Sequence, residues 1–219
     1  MTSRDTVLTR IRNALADVPR DDRPHDTPLT RDYLHTHADR TPQETATLLA
    51  ENLTDYRAHV HHTDETGLPA TVARLIAEHG SRSVVTPQGL PAHWLDAVGP
   101  DTERHTDRPE QTTYDLDAID TVITGCALAI AETGTIVLDT SPDQGRRRIT
   151  LVPDHHICVI TPAQIVASVP QALPRLDPTR PQTWISGPSA TSDIELDRVE
   201  GVHGPRTLDV ILVGPPPSG

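Results

Sequence analysis

Two glycine-punctuated loops in the second half of the chain carry the residues best suited to chemistry. The first loop spans residues 125–135 and the second spans residues 186–195, and each follows a short apolar run that is typical of a strand. Backbone N–H groups at such turns and at helix starts, together with Ser and Thr hydroxyls, bind carboxylates and phosphates. The two loops together therefore predict an anion-binding site.

The second loop predicts a small-residue turn and then the start of a helix over 190–195. We expect the N–H groups of that helix start to hold the anion, because they have no partners within the helix. Glycine at position 187 would allow the ligand to approach the backbone closely. The alternative is that Ser189, Thr191 or Ser192 only caps the helix. The expected ligand contacts in this turn are Ser186, Gly187, Pro188 and Ser189.

Two carboxylates and a basic segment complete the candidate set around this loop. Asp193 and Glu195 either complement the dipole of the predicted helix or hold a basic group of the ligand or of Arg206. Arg206 could clamp a carboxylate, and His203 could move a proton near neutral pH. An exposed loop without a role in binding is the other interpretation. The segment before the last apolar run reads His203-Gly204-Pro205-Arg206.

The first loop contains Glu132, at a predicted helix-to-strand corner inside an otherwise apolar run. A carboxylate there is a candidate for a raised pKa and for general-base or nucleophile chemistry, and the alternative is that the N–H groups of the corner tie it down. Thr133, Gly134 and Thr135 are ligand-contact candidates. The two threonines are alternatively strand formers, and Gly134 serves the turn in either case. We expect Glu132 and Arg206 to share one site, because their strands are predicted to meet one sheet edge.

Composition excludes several classes of chemistry. All 19 basic residues are Arg, which excludes Schiff-base lysines and the Lys of a Walker A loop. A formal net charge of −12 disfavours nucleic acid as a partner. The two cysteines, Cys126 and Cys158, are too few to hold an iron–sulfur cluster alone. The paired histidines lack zinc-site spacing, so we predict no metal.

The pattern of apolar runs predicts an α/β domain with a mostly parallel sheet. Short Val-, Ile- and Leu-rich runs near residues 58–61, 83–85, 121–124, 135–138, 157–160, 183–186 and 208–213 alternate with helical patterns. In such sheets ligands bind beyond the carboxyl ends of the strands. Helices are expected near 41–56, 69–78, 92–98 and 162–173. Thr41 and Glu44 predict a capping box at the start of the first of them, and Tyr56 is expected on its buried face. Gly80 is expected to end the second.

The N-terminal region has a different character. Residues 3–17 carry an apolar stripe at helical spacing, and residues 20–40 are rich in Pro, Asp, Arg and His. We expect an N-terminal helix and arm over 1–40, an α/β domain over 41–213 and a tail over 214–219. The helix is a candidate for packing on another subunit. No signal peptide and no apolar run of about 18 residues is present, so a cytoplasmic protein is expected.

The two loops, with Gly201-Val202-His203-Gly204-Pro205-Arg206 before the last strand, resemble the LUD domain family. The resemblance implies a Rossmann-like three-layer α/β fold related to ribose-5-phosphate isomerases and CoA transferases. Within the family the chain is similar to the cluster-free lactate-utilisation members. That likeness implies a role in oxidising L-lactate to pyruvate, with iron–sulfur clusters only in partner proteins. The chain itself would bind a small carboxylate or phosphate.

A different function is also compatible with the resemblance. The corner Ala131-Glu132-Thr133-Gly134 is weakly similar to the Ser-Glu-Asn-Gly corner that carries the catalytic glutamate of some CoA transferases. It departs from that corner at Ala131 and Thr133. The alternative function is therefore a stand-alone CoA-transferase-like or isomerase-like enzyme that uses Glu132.

Overall fold

The computed structural model describes residues 3–17, 34–35, 37–191, 199–200 and 204–214. The chain divides into two compact units, residues 1–33 and residues 34–219. In the smaller unit, α1 (Ser3–Ala14) confirms the predicted first helix. Its apolar side chains Val7 and Ile11, and Leu15 just beyond it, are about half exposed. The role of this helix in subunit packing stays a prediction.

The larger unit is built on a six-stranded sheet in which every pairing is parallel. Its strand order is β1-β12-β7-β4-β2-β3. The central strands are buried along nearly their whole length, which is typical of a sheet covered on both faces. The strands are β1 (His59–Thr63), β2 (Ser83–Thr86), β3 (Glu103–Thr106), β4 (Thr121–Thr124), β5 (Leu128–Ile130), β6 (Thr135–Leu138), β7 (His155–Ile160), β8 (Ile165–Val166), β9 (Thr183–Ile185), β10 (Ala190–Thr191), β11 (Val199–Glu200) and β12 (Thr207–Val213).

A second sheet was not predicted from the sequence. It has the order β8-β5-β6-β9, and β6 is antiparallel to both of its neighbours. The apolar runs of β6 and β9 were correctly predicted as strands, but a short apolar run does not indicate which sheet it joins. β5 was missed because it is only three residues long.

Helices cover both faces of the parallel sheet. On one face, α3 (Leu68–His79) packs Val72 and Ile76 against β12, and it ends at Gly80 in the left-handed conformation. On the other face, α2 (Pro42–Asp55) and the second sheet share a core that includes Leu49 and Leu53. The architecture is therefore a three-layer α/β domain with a mostly parallel sheet, as predicted. Within the described parts of the chain, no helix has the length and apolar character needed to cross a membrane.

The helix boundaries follow local signals where those signals are strong. α2 begins after Thr41 with the predicted capping box, in which the Glu44 N–H donates to the Thr41 hydroxyl and the Glu44 carboxylate accepts from the Thr41 N–H. The expected burial of Tyr56 is wrong, since this residue is about half exposed. The two remaining α-helices are short: α4 (Thr113–Asp117) and α5 (Val169–Ala172).

The long helix predicted over residues 162–173 is also wrong. That segment forms a 3-10 turn at Pro162–Gln164, then β8, and only then α5. Pro170 is tolerated in the first turn of α5 but would break the interior of a longer helix. Periodicity alone therefore overestimated this helix.

A buried hydrogen-bond network holds the amino ends of the central strands together. The Asp209 carboxylate bonds His155 at 2.7 Å and His61 at 2.5 Å. The other ring nitrogen of His155 bonds Thr121, and Thr121 bonds Ser81. Since burial acts against ionisation, the hydrogen bonds from His155 and His61 must outweigh it, and the net result is that the pKa of Asp209 is lowered.

Replacing this hub should destabilise the domain. We expect Asp209→Asn to lower the free energy of unfolding by about 3 kcal/mol, because it removes one partner of a buried charged network. A carboxylate with a lowered native pKa stabilises the fold above its unfolded pKa of about 4 and loses that contribution as the pH falls. The difference between parent and variant should therefore shrink below about pH 4. Urea unfolding of both proteins at several pH values measures this difference in the free energy of unfolding.

The exposed carboxylate of Asp117 provides the control. Asp117→Asn should change the free energy of unfolding by less than about 0.5 kcal/mol. Equal effects of the two substitutions at neutral pH would contradict a central role for Asp209.

Candidate anion-binding cleft

The crevice at the carboxyl ends of β2 and β4, where a ligand was expected, is filled by the loop 139–146 of the same chain. A Cβ atom on Gly89 would lie 2.5 Å from Pro142, and one on Gly125 would overlap the Asp143 carboxylate. Thr140 adopts a left-handed φ of 62°, an unusual conformation for a β-branched residue. The glycines at this edge therefore serve close packing of the chain, not ligand approach.

A hollow of about 480 Å³ remains outside that loop, and its main charged groups satisfy each other. The Arg146 guanidinium donates to the Asp107 carboxylate at 2.8 Å, and the Arg146 backbone N–H donates to the same carboxylate. Arg147 lines this hollow as well. Because Asp107 already neutralises Arg146, Arg147 is the cationic side chain that this hollow could still offer to an anion.

The second predicted loop instead lines a cleft of about 530 Å³, which we call the His156 cleft. It lies between the end of β9 and the amino ends of β7 and β12. Its predicted lining residues are Ser186, Gly187, Pro188, Ser189 and Gly204, and its further lining residues include Arg147, Thr150, Leu151, His156, Ile185 and Leu208. The structure thus gathers five predicted residues in one place.

The conformation of the second loop differs from the prediction. Gly187 has φ 87°, and a Cβ atom there would overlap the backbone carbonyl of Tyr56 at the end of α2. Beyond the loop, β10 pairs with β11 in an antiparallel ribbon, so the predicted helix start at Ala190 is wrong. The rest of the predicted helix start, 192–195, lies outside the described residues. Before it, the Ser189 N–H donates to the Pro205 carbonyl.

His156 was missed as a site residue and was considered only for metal binding. Its side chain is 1 % exposed, and its Nε2 atom bonds the Thr124 hydroxyl at 2.8 Å. The other ring nitrogen, Nδ1, has no partner among the described residues. Every fully buried side-chain nitrogen or oxygen of those residues does have a partner, so Nδ1 is not fully buried. Because His156 lines the cleft, we infer that Nδ1 faces it. Burial lowers the pKa of His156 to about 3, which keeps the imidazole neutral at physiological pH.

Arg147 supplies the charge in this cleft. The polar segment 143–148 is compatible with a loop over the site, a solvated basic patch or a partner-docking surface, and its Arg147 lines the cleft. Its exposed guanidinium forms no ion pair with the carboxylates that the structure describes, while its carbonyl accepts from the Thr150 hydroxyl. Arg147 is therefore a cationic group with which an anion in the cleft could pair.

A chain of hydroxyl groups joins the two predicted loops. The Thr133 hydroxyl donates to the Thr135 hydroxyl at 2.8 Å, and the Thr135 hydroxyl bonds the Ser186 hydroxyl at 2.8 Å. Thr135 is buried, and Ser186 lines the cleft. Gly134 adopts φ 55° beside α2, where a Cβ atom would lie 2.9 Å from the Asn52 carbonyl carbon. The first loop therefore reaches the cleft through hydroxyls, not through Glu132.

Glu132 lies at a strand-to-strand corner between β5 and β6, not at the predicted helix-to-strand corner. Its carboxylate bonds His37 at 2.7 Å and Arg40 at 3.3 Å, and its N–H donates to the Ala167 carbonyl. The side chain is 18 % exposed and does not line the His156 cleft. Asn52 fixes the corner by donating to the Ala131 carbonyl at 2.7 Å.

The expected meeting of Glu132 and Arg206 rested on a wrong premise. Arg206 lies at the amino end of β12, is 64 % exposed and pairs with Asp154 at 3.3 Å. Glu132 belongs to the second sheet, so the two residues do not flank strands that end at one edge. Asp193, Glu195 and His203 lie outside the described residues.

A larger groove of about 770 Å³ lies beside the start of α2. It is lined by Arg40, His62 and Gln171, among others, and by none of the predicted site residues. Arg40 is already paired with Glu132, and the first turn of α2 is already capped by Glu44. The smaller His156 cleft is therefore the better candidate for binding an anion.

In a comparison with known protein families, residues 46–213 match the family model of the LUD domain. Lactate utilization protein C of Deinococcus radiodurans is 49 % identical over 168 residues, which cover 75 % of this chain and 77 % of that protein. Lactate utilization protein C of Bacillus subtilis is 28 % identical, with coverage of 76 % and 77 %. The crystal structure of a DUF162 family protein from Deinococcus radiodurans has a TM-score of 0.67 at 36 % identity, with coverage of 80 % and 100 %.

The packing of Gly187 predicts a large cost for any side chain at this position. Gly187→Ala should lower the free energy of unfolding by about 2–3 kcal/mol, because the new methyl group overlaps the Tyr56 carbonyl and φ is positive. The melting temperature should fall by roughly 5–10 °C. Gly99→Ala is the control, since a Cβ atom there meets nothing within 4 Å. Equal melting temperatures for the two variants would contradict this account.

Proposed function

The chain belongs to the LUD domain family, and we propose that it serves lactate utilisation by binding a small carboxylate in the His156 cleft. A role in lactate utilisation is supported by relatives named lactate utilization protein C, including one at 49 % identity. The ligand is inferred from the chemistry of the cleft. The observation that carries the proposal is His156, whose Nδ1 has no partner among the described residues. Its side chain lines a cleft that also holds Arg147, which forms no ion pair with a described carboxylate.

The lining of the cleft suits a 2-hydroxy or 2-oxo acid of the size of lactate or pyruvate. The Arg147 guanidinium would bind the carboxylate. Thr124 would donate its hydroxyl proton to Nε2 of His156, which leaves the ring proton on Nδ1 to bond the oxygen at C2. Leu151 and Leu208 would contact the methyl group. Each group of such an acid thus has a counterpart of matching polarity.

We further propose that iron–sulfur partner proteins accept the electrons of lactate oxidation. A cluster usually takes four Cys ligands, and this chain has two cysteines in all. Both thiols are buried, and a hydrogen bond with Cys158 together with burial raises the pKa of Cys126. A raised thiol pKa opposes the thiolate form that binds metals. Cys126 and Cys158 therefore fit the apolar core better than a cluster.

A second proposal is an enzyme that uses Glu132 as a nucleophile, as in CoA transferases. The observation in its favour is that the Glu132 side chain is partly exposed beside the hydroxyl chain that begins at Thr133. Against it, His37 and Arg40 occupy both carboxylate oxygens. A mass increase on Glu132 after incubation with acyl-CoA, absent from Glu132→Gln, would favour this enzyme over the binding subunit.

Binding to cleft variants tests the first proposal. Pyruvate affinity, measured by calorimetry, should fall about 5–30-fold in Arg147→Gln, because one charge-assisted contact at an exposed position is lost. A loss of about tenfold is expected in His156→Phe, which keeps a ring but has no nitrogen. Arg148→Gln is the matched control, since Arg148 is exposed and does not line the cleft. Equal affinities in all three variants would overturn the proposal.

The protonation state of His156 gives an independent prediction. Because its pKa is lowered to about 3, the ring stays neutral from about pH 5.5 to pH 8. The pKa of pyruvic acid lies far below this pH range, so pyruvate stays an anion throughout it. The affinity should therefore vary less than twofold, whereas an imidazolium in contact with the carboxylate would strengthen binding as the pH falls. A tenfold gain in affinity at about pH 5.5 that disappears in His156→Phe would contradict a neutral ring.

A further inference from the structure

We infer that Thr135 is a positioning residue that makes Ser186 a hydrogen-bond donor to an anionic oxygen in the His156 cleft. This inference rests on the proposed function. It concerns a residue that lies behind the cleft wall, since Thr135 is buried and does not line the cleft. Its hydroxyl lies between those of Thr133 and Ser186.

The order of the hydrogen bonds limits what each hydroxyl can do. Each hydroxyl has one proton to donate and two lone pairs to accept with. The Thr133 hydroxyl gives its proton to Thr135. The Thr135 proton can go to the Thr133 carbonyl at 3.3 Å or to the Ser186 hydroxyl at 2.8 Å. The shorter contact favours donation to Ser186, and that choice leaves the Ser186 proton for the cleft.

This direction of donation suits a hydrogen-bond acceptor such as an anionic oxygen and disfavours a cation. A carboxylate oxygen accepts hydrogen bonds and cannot donate them. In the order Thr133 to Thr135 to Ser186 to ligand, the hydroxyls of Thr135 and Ser186 each accept one hydrogen bond and donate another. Such chains strengthen their members by mutual polarisation. Ser186 with the opposite polarity would offer lone pairs and would repel the ligand carboxylate. Thr135 therefore sets the ligand class through its neighbour.

The register of the second sheet holds this geometry. β6 pairs with β9 so that Ile136 lies opposite Ile185, which brings Thr135 opposite Ser186 at the end of the ladder. Gly134, just before Thr135, is packed against Asn52 of α2, and Gly187, just after Ser186, is packed against Tyr56. Backbone contacts on both sides thus hold the two hydroxyls in place.

The test compares pyruvate binding in single and double variants by calorimetry. Thr135→Val removes the hydroxyl at nearly constant volume and should weaken binding about 5–10-fold, whereas Thr135→Ser keeps the hydroxyl and should bind within twofold of the parent. Ser186→Ala should weaken binding to a similar extent. In the Ser186→Ala background, Thr135→Val should have no further effect on affinity, because its role acts through Ser186.

The outcomes separate this inference from the proposed function. If Arg147→Gln and His156→Phe lose affinity but Thr135→Val binds pyruvate like the parent, the inference alone is wrong. Additive losses in the double variant also overturn it. If the parent binds no pyruvate, the proposed function fails and the inference fails with it. Should Thr135→Val not fold, Thr133→Val breaks the chain at an exposed position and should still weaken binding about 2–5-fold, and parent-like binding there counts against the inference.

Discussion

Close contact between α2 and two glycines is the constraint on which the rest of the structure depends. Gly134 packs against Asn52 and Gly187 packs against Tyr56, with no room for a Cβ atom at either position. One face of α2 also contributes Leu49 and Leu53 to the core between the two sheets. The helix therefore fixes the distance of the second sheet from the first. The cleft exists where the end of β9 meets the amino ends of β7 and β12.

Two adjacent histidines of β7 lie on opposite faces of the parallel sheet, one in a buried hydrogen-bond network and one in the proposed binding cleft. Successive side chains of a strand point to opposite faces, so His155 and His156 face different layers. His155 joins the buried network of Asp209 and Thr121, which ties together three neighbouring strands. His156 bonds Thr124 on the other face and opens to the cleft. Anchoring of His155 thereby holds the strand that presents His156.

The electrostatics of the chain make a local site necessary for binding an anion. The net charge of −12 repels anions at long range, so affinity must come from short-range donors. Several arginines that the structure describes are already neutralised, such as Arg40 by Glu132, Arg146 by Asp107 and Arg180 by Asp139. Arg147 forms no ion pair with the carboxylates that the structure describes, and it lies beside neutral donors in the cleft. In the function proposed above, one guanidinium, an imidazole and hydroxyls would hold the ligand.

The sequence by itself determined the α/β class and most central strands. It also determined the capping box of α2 and the end of α3 at Gly80. These features depend on local spacing and on residues with strong conformational preferences. It also identified the Ser186 loop as part of the candidate site. Only the tertiary structure decided that β6 and β9 form a second sheet, that Gly187 serves packing, and that Glu132 turns away from the cleft toward His37 and Arg40. These outcomes depend on contacts between residues far apart in the chain, such as Thr135 with Ser186 and His156 with Thr124. Spacing along a single sequence does not encode which distant partners will meet.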